Sequence, residues 1–329
     1  MLVSVVIPVF NAGALLSRAV TSVFATGVGS VEVLIVDDGS TDDSWRTACA
    51  LAARCPDSVR ALRHPEGVHC GVSASRNLGI RSARGDLIAF LDADDYYYPH
   101  RFDVSVKTLS TDTSVDAVYD TADIVYASPE AASRVSWGSH TFGIRDPLTG
   151  DPLIQALLSS QTWPCLGIVC RRTLFDRAGL FDERLRIAED CNLWIRMALV
   201  GRIVAGDLAK PVGVYWRHAV NTFNTMPEHH VAYIRALAYA CRWAAGVRGL
   251  SEERLKIMRS GLTTQTMRSI VVCRELGRQD LAWRSLAELL RHGGLHRDAL
   301  RPLAWQAQAL VREGLGFRVG VRRQSPSVP

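Results

Sequence analysis

The sequence predicts an α/β protein with a mostly parallel sheet flanked by helices, followed by an all-helical C-terminal region. Three observations predict it. Through residue 91, short β-branched apolar runs alternate with segments of helical spacing, the pattern of successive βαβ units. The apolar runs suit strands covered on both faces. After "PVGVYWRH" only long segments of helical periodicity remain.

Residues 3–9, "VSVVIPV", are the first strand, and 14–24 a helix with Leu15, Leu16, Ala19, Val20 and Val23 on its apolar side. Residues 32–36 form a second strand ending in "DDGSTDD", where Gly39 punctuates and Ser40 or Thr41 caps the next helix. A third strand spans 59–63, a helix 72–83 and a fourth strand 87–91. Farther on, "VDAVYDTADIVYA" alternates like paired strands, and "PCLGIVCRRTLFDRAGLFDERL" reads as strand, short helix and loop. "AEDCNLWIRMALVG" reads as an amphipathic helix with Leu193, Met197 and Val200 on one side and Gly201 ending it. Helices follow at roughly 228–245, 251–276, 279–291 and 297–313. This organisation predicts a first domain over 1–222, a helical region over 223–318 and a disordered tail over 319–329.

Composition bounds the class. The 329 residues are 48% apolar, enough for a sizeable core, and no run reaches the ~18 apolar residues of a membrane span. The eight cysteines include no C-x-x-C pair and mostly lie in apolar segments, which predicts reduced, buried thiols in a cytoplasmic chain rather than a disulfide framework or a zinc site. From Met226 onward there are 17 Lys and Arg against 8 Asp and Glu, while the preceding part is mildly acidic. A basic region of this kind is either a set of solvated helix faces or a surface for anionic lipid or an anionic acceptor.

The segment "RGDLIAFLDADDYYYP" turns abruptly from a buried strand to three carboxylates, Asp92, Asp94 and Asp95. Like charges this close repel unless a cation neutralises them. Asp92 and Asp94 are two apart and project to one side of extended backbone. With no His or Cys nearby, they suit a hard divalent ion, Mg²⁺ or Mn²⁺, completed by the oxygens of a diphosphate. Asp95 is expected to cap the helix beginning near Pro99 instead. A calcium-binding EF-hand is excluded, because Tyr97 and Asp103 stand where that loop needs Gly and Glu.

The segments "VSVVIPVFN", "VEVLIVDDGSTDDS", "GVSASRNLGIRSARGDLIAFLDADDYYYP", "GLFDERLRIAEDCNLWIRMA" and "VYWRHAVNT", in this order, resemble the family 2 glycosyltransferases of GT-A fold over residues 1 to 222. The resemblance implies an inverting enzyme that moves a sugar from a nucleoside-diphosphate donor to an acceptor. It implies that Pro8, Val9, Phe10 and Asn11 line the nucleotide pocket, with Phe10 against the base. Asp38, with Asp37 the alternative, would accept a hydrogen bond from a uracil-like N–H. Arg76 would face the base or the phosphates. In "DADD", Asp92 resembles the residue that contacts the ribose or the metal, Ala93 lies between, and Asp94 resembles the direct metal ligand. Asp190 resembles the catalytic base, and Glu189 is expected to point elsewhere. Arg217 would stand near the diphosphate and His218 near the metal. Tyr96 to Tyr98 and Trp163 would border the sugar or acceptor.

Departures from the pattern carry information. Ala12 follows Asn11 where many relatives have an acid, and Trp216 stands where a polar residue is usual. The Q-x-x-R-W signature of processive synthases is missing, which favours a single-addition enzyme in the cytoplasm or peripheral at the inner membrane face. Expected partners are the UDP-linked donor, a glycan or lipid-linked acceptor in cell-surface polysaccharide or other glycoconjugate assembly, and a second copy of the chain, but no nucleic acid. A D-x-D phosphotransferase is disfavoured because Asp95 and Tyr96 follow the motif. Dinucleotide binding fails for want of G-x-G-x-x-G. A catalytically inactive partner subunit of the same fold is the non-enzymatic alternative.

Overall fold

The computed structural model describes residues 1–128, 140–217 and 229–292. Strand β1 (Val3–Val9) is fully buried, as its largely apolar run requires, and its one hydroxyl, Ser4 Oγ, donates to Glu32 Oε1. It pairs in parallel with both β2 (Val31–Asp37) and β4 (Leu87–Phe90), and β3 (Val59–Arg63) adds in parallel beyond β2. Helices α1 (Gly13–Ala25), α2 (Ser44–Arg54) and α3 (Val72–Ser82) connect them. On the other side of β4 comes β9 (Ile168–Arg171), antiparallel, and then β6 (Ala117–Tyr119) and β10 (Ile203–Ala205). The seven strands run in the order β10-β6-β9-β4-β1-β2-β3, so most of the sheet is parallel.

Alternate residues of the central strands feed two cores. Val5, Ile7, Val33, Ile35, Leu87 and Ala89 pack towards α1, while Val6, Leu34, Val36, Ile88 and Phe90 face the opposite layer. A small second sheet contains β5 (Tyr96–Tyr97), β11 (Gly213–Arg217), β7 (Ala122–Tyr126) and β8 (Thr141–Phe142). It stands beside the carboxyl ends of the main sheet, where ligands bind in open α/β proteins.

Several local expectations are corrected. The strands of "VDAVYDTADIVYA" do not pair with each other: β6 joins the large sheet and β7 the small one. Between them the Asp120 N–H donates to Gly167 O, and buried Asp120 meets Arg101 at 3.3 Å, which anchors the crossing point. Neither Ser40 nor Thr41 caps α2, which starts at Ser44, where the Asp42 carboxylate accepts the Ser44 N–H at 2.9 Å. Three cysteines, Cys49, Cys55 and Cys70, are exposed, although all eight are free thiols.

Beyond β9 come α6 (Leu174–Ala178) and α7 (Glu189–Val200), with α5 (Gly150–Leu158) preceding them. Helix α7 is not amphipathic: Asn192 through Leu199 are all buried. It is covered on its outer side by α8 (His229–Ala245), whose Ala236 carbonyl accepts from Asn192 Nδ2 at 2.8 Å. Helices α9 (Glu252–Glu275) and α10 (Gln279–His292) complete the layer. Ser251 caps α9, its hydroxyl accepting the Arg254 N–H. Leu237, Met258, Leu262, Ile270 and Leu281 continue the same apolar cluster that holds Phe90 and Trp194. The helix expected at 297–313, the boundary near 222 and the tail from 319 lie outside the described residues. Among the described residues, no helix is long and apolar enough to cross a membrane.

Candidate active site

A cavity of about 900 Å³ opens at the carboxyl ends of β1, β2 and β4. Its lining gathers Pro8, Val9, Phe10, Asn11, Asp38, Arg76, Asp92, Ala93, Asp94, Asp190 and Arg217, residues drawn from all five sequence segments. Asp37 does not line it. That side chain is fully buried, meets Arg63 Nε at 2.9 Å and accepts the Ser40 N–H. His218 lies outside the described residues.

The Phe10 side of the cavity is built by three loops. Phe10 is 47% exposed and stands 4.4 Å from the ring of His69, a tilted aromatic pair in the wall of the cavity. Asn11, at φ 50°, accepts the Thr41 N–H on its side chain and so ties the β1 loop to the β2 loop. Asp38 is only 3% exposed; its carboxylate accepts from the Cys70 and Gly71 N–H groups at 2.7 and 3.0 Å and lies 3.0 Å from His69 Nδ1. Much of its accepting capacity therefore shapes the 69–71 turn. Gly39 makes this approach possible, since a Cβ there would sit 2.7 Å from His69 N at φ 75°. His69 was missed in the sequence, because its partners are 31 or more residues away.

On the opposite wall, α3 presents Ser73, Arg76 and Asn77 at i, i+3 and i+4, one face of a helix. Ser73 Oγ donates to Leu185 O and Asn77 Nδ2 to Phe181 O, holding the 181–189 segment in place. Arg76, 3% exposed, donates to Asp92 Oδ1 and to Glu189 Oε1, each at 2.8 Å. Its guanidinium thus joins the D-A-D-D turn to the start of α7. Glu189 does not point elsewhere; it lines the cavity too. Burial, then the neighbouring Asp190 charge, pushes its pKa up to about 7 against the opposing pull of Arg76. Asp190 accepts the Cys191 N–H at 2.7 Å. Burial raises its pKa, and Arg76 is the largest influence opposing the rise.

The D-A-D-D turn alternates as extended backbone should: Asp92 and Asp94 are partly exposed, Ala93 and Asp95 buried. Asp95 does not cap a helix, because α4 (Asp103–Thr111) begins eight residues later. Asp95 Oδ1 instead accepts the Trp216 N–H at 2.8 Å, fastening β11 to the turn. Burial, then Asp94 and Asp92, raises its pKa well above the usual carboxylate range, which favours the protonated form. Arg18, clamped 4.8 Å from both the Tyr96 and Trp216 rings, donates to the Asp94 carbonyl. Arg217 is buried at the rim, with Nη1 3.0 Å from the Tyr215 hydroxyl.

Trp163 borders no ligand space. It is fully buried, stacked 4.6 Å from Tyr119 and 6.0 Å from Trp194. Tyr97 is likewise in the core, donating its hydroxyl to Phe90 O, whereas Tyr96 and Tyr98 are half-buried.

Among the described residues, no three His, Cys, Asp or Glu side chains form a cage that could hold a metal by themselves. Asp92 and Asp94 fit the other mode, in which one or two carboxylates share a small hard cation with substrate phosphates and water.

Comparison with known proteins agrees with this architecture. Residues 4–156 match the family described as Glycosyl transferase family 2. An uncharacterized glycosyltransferase of Rickettsia conorii is 28% identical over 238 residues, 72% of this chain and 36% of that protein. One of Nostoc sp. is 28% identical over 226 residues, 67% of this chain and 66% of its own length. The chain thus spans little more than a third of the Rickettsia relative. Among solved structures, S. aureus TarS 1-349 in complex with UDP-GlcNAc has a TM-score of 0.69 at 18% identity, covering 94% of this chain and 88% of that one. The mannosyltransferase PcManGT from Pyrobaculum calidifontis, in complex with GDP-Man and Mn²⁺, has a TM-score of 0.54 at 16% identity, covering 96% and 87%. At these identities the two structures establish a shared GT-A fold.

Proposed function

We propose that this chain, whose residues 4–156 match glycosyltransferase family 2, acts as a member of that family and adds a single sugar from a UDP-linked donor to an acceptor hydroxyl, with inversion. The observation that carries the proposal is the convergence of Asp92, Asp94 and Asp190 on one cavity whose other end holds Phe10 and Asp38. The TarS fragment, likest in fold of the two structures compared, is bound to UDP-GlcNAc, which supports a uridine donor.

In this reading the base lies against Phe10 and His69, and the diphosphate runs towards Asp94 and Arg217. Asp94, with Asp92 beside it, would hold Mn²⁺ or Mg²⁺; a bound divalent ion offsets the negative charge that grows on the leaving diphosphate. The assignment of His218 to the same ion belongs to the proposal without a described position. Asp190 takes the proton of the acceptor hydroxyl as that oxygen bonds to the anomeric carbon and the sugar–phosphate bond breaks on the far side. Arg76 opposes the burial-driven rise of the Asp190 pKa and so favours the ionised form that a base needs. The acceptor is a glycan or lipid-linked intermediate of glycoconjugate assembly.

Calorimetry with UDP and Mn²⁺ tests the donor half: binding is expected in the unsubstituted chain and its metal dependence is lost in Asp94→Ala. Asp190→Asn should keep UDP binding while lowering turnover by about 10²–10⁴-fold. Turnover that survives Asp190→Asn removes Asp190 from the role of base.

A further inference from the structure

A second, smaller cavity of about 220 Å³ lies between the 184–187 segment and helices α8 and α10. Arg184, Arg186, Arg235 and Arg284 all line it, over a floor that includes Ile187 and Val231. Two of these charges are answered. Arg184 forms a fork on Asp182, with Nε–Oδ1 at 2.9 Å and Nη2–Oδ2 at 2.6 Å, and Arg235 meets Glu288 at 2.6 Å. Arg186 and Arg284 are exposed and make no hydrogen bond or ion pair among the described residues. Among the described residues the groove therefore carries about two uncompensated positive charges in a concave, partly apolar setting, where an anion gains more than it would on an open face.

Its position gives the charge a purpose. Leu185, Arg186 and Ile187 belong to the walls of both cavities, and the same segment runs directly into Glu189 and Asp190. The groove is thus an extension of the large cleft on the side of the proposed base, away from Phe10 and Asp38. Guanidinium forks match the paired oxygens of phosphate esters. A concave pocket about the size of one small group suits a discrete phosphate better than a bilayer plane, which calls for a continuous amphipathic face.

We propose that this groove holds a phosphate of the acceptor, making the acceptor a phosphate-ester-bearing glycan or glycan precursor whose hydroxyl reaches Asp190. The proposal rests on the transferase reading above, and its test separates the two. The full chain, with UDP and Mn²⁺ filling the large cleft, is titrated with inorganic tripolyphosphate and floated with phosphatidic acid vesicles. Tripolyphosphate is expected to bind more weakly as salt rises. In the double variant Arg186→Glu, Arg284→Glu its affinity should fall about tenfold or more. Arg248→Glu, an exposed charge outside the groove, serves as the control for general electrostatics and should change the affinity less than twofold.

Undetectable binding, an unchanged affinity in the double variant, an equal loss in the control, or binding to vesicles without tripolyphosphate each overturns the proposal. Binding to tripolyphosphate and vesicles through the same arginines supports it with a lipid-presented acceptor. Tripolyphosphate without vesicles supports it with a soluble or polymeric one. If the unsubstituted chain fails to bind UDP, the transferase reading falls, while the tripolyphosphate comparison, repeated without UDP, still reports on the groove.

Discussion

Replacing Arg76 by Met separates the charge network from the rest of the cavity. The side chain is 96% covered and holds two carboxylates at 2.8 Å: Asp92, whose side chain is 31% exposed, and Glu189, 12% exposed. Methionine keeps most of the volume and the contact with Phe181, over whose ring the guanidinium lies at 5.3 Å. What it removes is the charge. Breaking a buried ion pair from one side costs about 3–5 kcal/mol. Because Asp92 retains nearly a third of its surface in water, the lower end applies, about 3 kcal/mol, or a fall in Tm of roughly 4 °C for a chain of this size.

The same change has a catalytic signature. Arg76 lowers the pKa of both Glu189 and Asp190, each of which burial raises. Without it both rise further, so ionised Asp190, the proposed base, appears only at higher pH. UDP release from a UDP-sugar, followed against pH, should show its acidic limb displaced upward by about one unit. Arg76→Lys keeps the charge without the two-pronged fork, so it should restore most of the pH limb and only part of the Tm. A methionine variant with an unmoved limb and an unchanged Tm would show that Arg76 neither stabilises the cavity nor tunes its acids.

Three further outcomes follow from the structure. Burial raises the Glu189 pKa above the ordinary carboxylate value, so between the unfolded and folded values the folded state holds the extra proton and stability falls as pH rises. Glu189→Gln removes that slope: the loss of stability between pH 5 and pH 8 in urea unfolding should be smaller than in the unsubstituted chain, and an identical difference refutes the assignment. Arg18→Ala empties the clamp between Tyr96 and Trp216 and frees the Asp94 carbonyl; UDP·Mn²⁺ affinity should fall about tenfold, consistent with a cation–π pair plus a charged hydrogen bond, as read by calorimetry. Trp163→Ala opens a core void beside Tyr119 and Trp194 and should cost about 3–5 kcal/mol in denaturant unfolding; a loss below 1 kcal/mol would contradict its place in the core.

Much of the main sheet was legible because its central strands are largely apolar runs with one plausible environment, buried on both faces. Strand β1 was expected at 3–9 and spans Val3–Val9; the edge strand β3 also keeps its expected bounds, 59–63, although it carries two arginines and is only partly buried beyond Val59. Helix α7 misled for the complementary reason. It was read as amphipathic from Leu193, Met197 and Val200, yet Arg196 is spent on the Ala178 and Leu180 carbonyls and Asn192 on Ala236, partners set by tertiary packing. The candidate site divides in the same way. Motif spacing pointed to the residues of one cavity, but which carboxylate meets Arg76, or that Asp95 serves Trp216 across 121 positions, depends on how two sheets are stacked. Local periodicity carries no record of such pairings. Asp37 and Asp38 show the limit at its sharpest: adjacent acids of one type, one turned to Arg63 and the other to the 69–71 turn.

The three acids after β4 are tolerable together because each meets a different neutralising environment. Asp95 is buried against the Trp216 amide, and its raised pKa favours the uncharged form. Asp92 is matched by Arg76, which also holds Glu189 and thereby fixes the start of α7. Asp94 projects to the same side as Asp92 at the cavity, on a backbone whose carbonyl is gripped by Arg18. A turn built only for stability would have no use for three separate devices to hold like charges within four positions, since apolar residues there would cost less. The arrangement fits the role proposed for Asp92 and Asp94, which line the cavity together.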